Sequence, residues 1–104
     1  MYKLINAEER AQLYPESFKI PEARIRNNLH AHDRVRLMFE PAEQGPVERL
    51  WVRVCGPTAP SATYRYVGQV DNRAENRTLP KLGDMVEFGP EHVMAFETEL
   101  GAIN

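Results

Sequence analysis

The residues best suited to recognition chemistry are one tryptophan and the arginines that surround it. Ten of the 13 basic residues are arginines, whose planar guanidinium groups bind carboxylates and phosphates through paired hydrogen bonds. Trp51, the only tryptophan, alternates with Arg49 and Arg53 at the period of one strand face. Tryptophan and arginine are the residue types that dominate hot spots in protein interfaces. The pattern therefore predicts a binding surface for an acidic partner.

The expected partner-binding residues lie on the outward face of three predicted strands: they are Arg34, Arg36, Met38, Arg49, Trp51, Arg53 and Arg65. An acidic protein surface is the favoured partner, because a net charge of −2 is unlike the basic excess of most nucleic-acid-binding proteins. Single-stranded nucleic acid stays an alternative, since arginines and aromatic rings on small barrels also bind unstacked bases.

Three histidines raise the question of a metal site. In an extended segment His30 and His32 point to the same side, and His92 would supply a third ligand. No carboxylate or cysteine stands at ligand spacing beside them, so we expect no bound metal and no other cofactor.

Catalytic patterns are weak in this chain. Cys55 is the only thiol and has no histidine near it in sequence, and no glycine-rich phosphate loop is present. We therefore expect a non-catalytic protein. A small enzyme is a further alternative, in which folding would bring Asp84, His92 and an arginine together.

Three consecutive strands between Asp33 and Val70 are predicted to carry the outward residues. Residues 34–40 and 49–55 alternate apolar and polar side chains, and the connector between them contains two prolines and a glycine, which predicts a hairpin. Residues 63–70 form the third predicted strand, in which Gly68 indicates a bulge or a sharp bend.

The register of the hairpin is predicted by requiring that its two apolar faces coincide. Leu37 then lies opposite Val52, and the outward pairs are Glu40 with Arg49, Met38 with Trp51, and Arg36 with Arg53. Two opposed guanidinium groups repel and cannot deprotonate, so an acidic group must lie beside the last pair. Either a partner supplies that group or the chain does, from Glu87, Glu97 or Glu99.

The remaining segments are predicted to form two helices that cover the sheet and the strands that complete it. Asn6 and Glu9 have capping-box spacing before a helix over residues 7–14, and Pro21 can begin a second short helix. Residues 83–88 read as a fourth strand, and residues 91–97 as either a fifth strand or a helical turn.

The fold class expected from these elements is mainly β (α+β): a small, strongly bent antiparallel sheet or SH3-like barrel of about five strands with short N-terminal helices. Residues 1–104 are expected to form a single domain. Within it, residues 1–32 are the helical cover, 33–96 the β-barrel core and 97–104 an acidic tail.

Composition also bears on the compartment. A lone cysteine suits a reducing environment, and the chain shows neither an apolar run of membrane-spanning length nor the apolar region of a secretory signal. We therefore expect a cytoplasmic protein without membrane contact, either a monomer or a homodimer formed through a strand edge.

Several segments between Tyr14 and Val93 resemble the YegJ-like group of small bacterial proteins: YPESFKIP, DRVRLMFE, ERLWVRV, YVGQVDN and LGDMVEFGPEHV. The chain departs from that pattern at His32, where a glycine is usual, and in the long polar loop after Asn72. The resemblance implies a bacterial origin and no established activity. By analogy with related compact domains, it favours an immunity or inhibitor-like accessory protein that binds another protein.

Overall fold

The computed structural model describes residues 1–98 and 101–103. Its elements in chain order are β1 (Tyr2–Leu4), α1 (Ala7–Leu13), α2 (Ala23–Arg26), β2 (Arg34–Pro41), β3 (Glu48–Pro57), β4 (Tyr66–Val70), β5 (Met85–Phe88), a 3₁₀ turn (Pro90–His92), β6 (Ala95–Thr98) and β7 (Gly101–Ile103). The mainly β class with two short N-terminal helices is confirmed. None of the helices in these residues is long and apolar enough to span a bilayer.

All strand pairs in the sheet are antiparallel, in the order β5-β4-β3-β2-β6-β7. Strand β1 also pairs with β2, because β2 is long enough to hold β6 beside Arg34–Arg36 and β1 beside Phe39–Pro41. The sheet curls around the alternate inward side chains, as the pattern of apolar residues predicts. The hydrophobic core inside this curl includes the fully buried residues Val35, Leu37, Phe39, Leu50, Val52, Val54, Val70, Phe88 and Val93.

The hairpin of β2 and β3 has the predicted faces but not the predicted register. Leu37 lies opposite Leu50, not Val52, so the pairing is shifted by two residues. The outward pairs are consequently Met38 with Arg49, Arg36 with Trp51, and Arg34 with Arg53, in place of the three predicted pairs. Coincident apolar faces exclude only odd shifts. A shift of two residues keeps both apolar faces inward, so alternation alone does not distinguish the observed register from the predicted one.

The described part of the chain holds more strands than the five expected. Strand β1 has only three residues, too few for a periodic pattern. The segment expected as a strand or a helical turn contains both, since the 3₁₀ turn precedes β6. The predicted boundary between the core and an acidic tail at residue 97 was wrong, because β6 continues to Thr98 and pairs with β7.

The bulge or bend predicted at Gly68 in the third strand occurs instead on the neighbouring strand, β3. The pairing of β3 with β4 shifts between Val54 and Gly56, which places the bulge at Cys55. Gly68 serves close packing instead: a Cβ there would lie 2.5 Å from Val52 Cγ1 and 2.8 Å from the carbonyl oxygen of Arg53. The absence of a side chain therefore lets β4 approach β3.

The N-terminal segment covers the sheet and is fastened by a buried arginine. The predicted cap of α1 is present, with the Glu9 backbone N–H donating to Asn6 Oδ1 at 2.9 Å. Arg26 donates from Nε to the carbonyl of Pro21 at 2.8 Å, and its Nη1 donates to Pro90 O at 3.1 Å and to the Glu8 carboxylate. One side chain thus joins both helices to the 3₁₀ turn.

The close approach at Gly68 makes its substitution costly. We expect Gly68→Ala to lower the free energy of unfolding by about 1 to 3 kcal/mol, because the backbone must move to admit the methyl group. Urea denaturation measures the change, with Gln69→Ala at the exposed neighbouring position as the control. Equal stability of the two variants would contradict the packing described for β3 and β4.

Candidate binding groove

The outward face of β2 and β3 is divided into parts with different environments. At one end Met38 is 1% exposed and packs in a second apolar cluster with Ala7, Met94 and Ala95. The N-terminal cover therefore buries Met38 within the monomer. Its predicted role as a direct contact for a partner was wrong, because a buried side chain cannot meet another protein's surface.

At the other end of the face, the opposed arginines receive acidic partners from the chain itself. Arg34 Nε donates to Asp71 Oδ2 at 2.9 Å, and its Nη1 bonds the carboxylate of Glu97. Arg53 Nη2 lies 3.6 Å from the same Asp71 oxygen. The acid was predicted beside Arg36 and Arg53, which was wrong for Arg36, because Arg53 lies opposite Arg34 and this is the pair that receives carboxylates. Glu97 was among the expected candidates. Asp71 was not among the expected candidates, because its position beside Arg34 depends on where β4 ends.

Trp51 lies half-buried between these two regions. Its backbone N–H donates to Asn72 Oδ1 at 2.5 Å, and its carbonyl accepts from the Asp71 backbone N–H at 2.8 Å. The guanidinium carbons of Arg34 and Arg36 lie 4.9 and 5.5 Å from the ring centroid. Both distances allow cation–π attraction, which holds the indole in place.

An open groove of about 510 Å³ runs beside Trp51, and we call it the basic groove. It is lined by Ser17, Phe18, Lys19, Arg36, Arg49, Trp51, Met94 and Ala95. A turn after α1, in which the backbone N–H groups of Ser17 and Phe18 both donate to Tyr14 O, brings the N-terminal segment to the groove. The lining combines apolar surface with three basic side chains.

The cations of the basic groove have no acidic partners among the described residues. Lys19, Arg36 and Arg49 form no ion pair there, in contrast to Arg34 and Arg53. Arg36 Nε is buried and donates no hydrogen bond to any described atom. A buried N–H without an acceptor costs about 1 to 3 kcal/mol. Arg36 thus lines the groove without a neutralising partner among the described residues.

The structure brings together only some of the predicted site residues. Arg36, Arg49 and Trp51 meet in the basic groove, whereas the contacts of Arg65 are with Asn27 and the ring of Tyr66. Phe18 and Lys19 were missed, since nothing in their local pattern shows that the turn returns them to the sheet.

The three histidines have separate environments. His92 is buried, its Nδ1 accepts from the Gly89 backbone N–H at 3.0 Å, and Tyr64 contacts its ring edge-on. His30 and His32 are exposed on the turn before β2. Residues 1–98 and 101–103 contain no cluster of three or more His, Cys, Asp or Glu side chains able to hold a metal ion.

The residues considered for catalysis also make independent contacts. Asp84 Oδ2 accepts from the Lys81 backbone N–H at 2.8 Å, whereas His92 is bonded to Gly89. Cys55 is exposed at the bulge of β3, and its sulfur lies 3.9 Å from the carbonyl oxygen of Arg53. In the described structure Asp84 and His92 share no hydrogen bond that would link an acid to a base.

Comparison with known proteins gave no match among family models, curated proteins or solved structures.

Arg34 contacts two carboxylates and Arg53 only one, so Arg34 should contribute more to the stability of the fold. We expect Arg34→Ala to lower the free energy of unfolding by about 1 to 2 kcal/mol, because Asp71 and Glu97 lose a partly buried partner. Arg53→Ala is the matched control and should change it by less than about 0.5 kcal/mol, since the longer contact of Arg53 is half-exposed. Equal losses in urea denaturation would contradict this assignment.

Burial lowers the pKa of His92 below its ordinary value of 6.5, while Glu91 and Glu8 act in the opposite direction. As the pH falls below 6.5, the unfolded chain takes up a proton at this position before the folded chain does. The free energy of unfolding should therefore decrease until the pH reaches the lower pKa of the folded state. His92→Asn keeps an acceptor for Gly89 N–H and should flatten this decrease, whereas exposed His30→Asn should not. An unchanged pH profile in His92→Asn would refute the assignment.

Proposed function

We propose that the protein is a non-catalytic binding module that holds an acidic segment of another protein in the basic groove. The observation that carries this proposal is the set of three cations, Lys19, Arg36 and Arg49, which have no described ion-pair partner and line one groove with a half-buried tryptophan. A surface built only for solubility needs neither a buried guanidinium N–H nor an apolar floor beside it.

The chemistry of the groove defines its ligand. A carboxylate in the groove would pair with the guanidinium group of Arg36 and lie within the field of Arg49, and a charge-assisted hydrogen bond of this kind is stronger than a neutral one. An apolar side chain next to that carboxylate would contact Trp51, Phe18 and Met94, which line the same groove. The favoured ligand is therefore a segment with adjacent acidic and apolar residues.

Single-stranded nucleic acid is the less favoured ligand class. Stacking of a base needs an accessible aromatic face, and the guanidinium groups of Arg34 and Arg36 already lie against the ring of Trp51. Asp71 and Glu97 add negative charge to the same face of the sheet. The net charge of −2 also favours a protein partner, as does the resemblance to the YegJ-like group through its analogy with immunity proteins.

Capture of partners from a lysate of the source cell, followed by measurement of affinity for the purified partner, tests the proposal. Because Trp51 is the only tryptophan, a partner segment without tryptophan can be titrated by intrinsic fluorescence. For variants without the indole, calorimetry replaces fluorescence. We expect Trp51→Ala and Arg36→Gln each to weaken binding by about 1 to 3 kcal/mol.

The matched control is Arg65→Gln, which removes an exposed arginine outside the groove and should leave affinity unchanged. Oligothymidylate is the comparison ligand, and its binding should be weak and should fall steeply with added salt. Unchanged affinity in both groove variants would refute the binding site, and tighter binding of oligothymidylate than of the captured protein would refute the partner class.

A further inference from the structure

A second surface, separate from the basic groove, lies where the curled sheet fails to close. Strand β1 pairs only with β2, and β5 pairs only with β4, so each has one free edge in the described structure. A groove of about 1050 Å³ lies between these two strands, and we call it the seam. Unpaired strand edges are templates for the addition of another strand.

The strand directions define what can close the seam. Each neighbouring pair from β1 through β2, β3 and β4 to β5 is antiparallel, so β1 and β5 run in the same direction. Pairing them directly would require a parallel ladder. One extended segment placed between them, running the opposite way, would instead be antiparallel to both strands and would complete the sheet.

The alternation of hydrogen bonds along β1 and β5 shows which backbone N–H and C=O groups can bond to such a segment. Ile5 N–H donates to Met38 O at 3.0 Å, and Val70 N–H donates to Asp84 O at 2.9 Å. In an antiparallel ladder, residues next to a hydrogen-bonded pair direct their N–H and C=O groups away from the partner strand. Leu4 on β1, and Met85 and Glu87 on β5, therefore direct both groups into the seam.

The side chains around the seam define the character of the segment. Leu4, Leu79 and Val86 supply apolar surface at its floor. Lys3, Arg77 and Lys81 at its margin form no ion pair among the described residues. Three positive charges thus lie near two carboxylates, those of Asp84 and Glu87. The Asp84 carboxylate already accepts a hydrogen bond from a backbone N–H. The occupant should be apolar on its inward positions and acidic on some outward ones.

We propose that the seam binds one extended segment of a separate protein as an additional strand between β1 and β5, antiparallel to both. Main-chain hydrogen bonds to the two edges provide the affinity, and the alternation of apolar and acidic residues provides the selectivity. The seam shares no lining residue with the basic groove, so this interaction is independent of the proposed function.

Amide hydrogen exchange measured by NMR on the full-length protein tests this inference. The probe is a blocked synthetic peptide of alternating valine and glutamate, long enough for one strand. We expect the peptide to slow exchange of the Leu4, Met85 and Glu87 amides by about tenfold or more, on both edges together. The same peptide N-methylated at every second residue should give no protection.

Substitution at Met85 separates backbone pairing from side-chain contact. Met85→Pro removes an N–H that faces the seam, and proline is tolerated where a strand edge faces solvent. It should abolish binding of the peptide, whereas Met85→Ala keeps the N–H and should weaken binding less than about threefold. Circular dichroism establishes that both variants are folded.

Three results would overturn the inference. The first is the absence of protection in the wild-type protein at millimolar peptide. The second is protection of β5 alone, which indicates simple addition at one edge. The third is protection of these amides without peptide that increases with protein concentration, which would assign the edges to a second copy of this chain.

Discussion

Two arginines that face each other on neighbouring strands are the constraint on which the outward face depends. Arg34 and Arg53 are brought together by the register of β2 and β3, and neither can lose its charge. Asp71 and Glu97 resolve the repulsion from opposite directions, one after β4 and the other on β6. Their contacts hold the ends of these strands beside Arg34, and they decide which arginines stay available to a partner.

The division between structural and available arginines follows from this network. Arg34 is enclosed by carboxylates, and Arg26 is buried between the helices and the 3₁₀ turn. Arg36 and Arg49 lie in the next part of the face, where the described residues supply no acid. Arginines on the same sheet thus have carboxylate partners in one place and none among the described residues two positions further along β2.

The sequence predicts the faces of the strands well, because alternation is a local property. Val35, Leu37 and Val52 point inward as expected, and the capping residue Asn6 begins α1. The register was not predictable from alternation, since a shift by two residues leaves every side chain on the same face. The pairing of β1 with the other edge of β2 was not predictable either, because its three residues carry no periodic signal of their own.

The candidate groove was only half predictable for a similar reason. Arg36, Arg49 and Trp51 could be assigned to one face from their spacing, but the burial of Met38 results from contact with the N-terminal cover. Phe18 and Lys19 reach the groove through a turn that brings a distant segment back to the sheet. Long-range packing of this kind is not encoded in any short pattern.

NMR signals of the arginine Nε–H groups, recorded with and without the captured acidic partner, test directly whether the basic groove binds a carboxylate. We expect the Arg36 Nε–H signal to shift when the partner binds, because a carboxylate then pairs with the guanidinium group of Arg36. The Arg34 Nε–H signal should stay unchanged, since it is already bonded to Asp71. A complex in which the Arg34 signal shifts and the Arg36 signal does not would show that the partner binds elsewhere than in the basic groove.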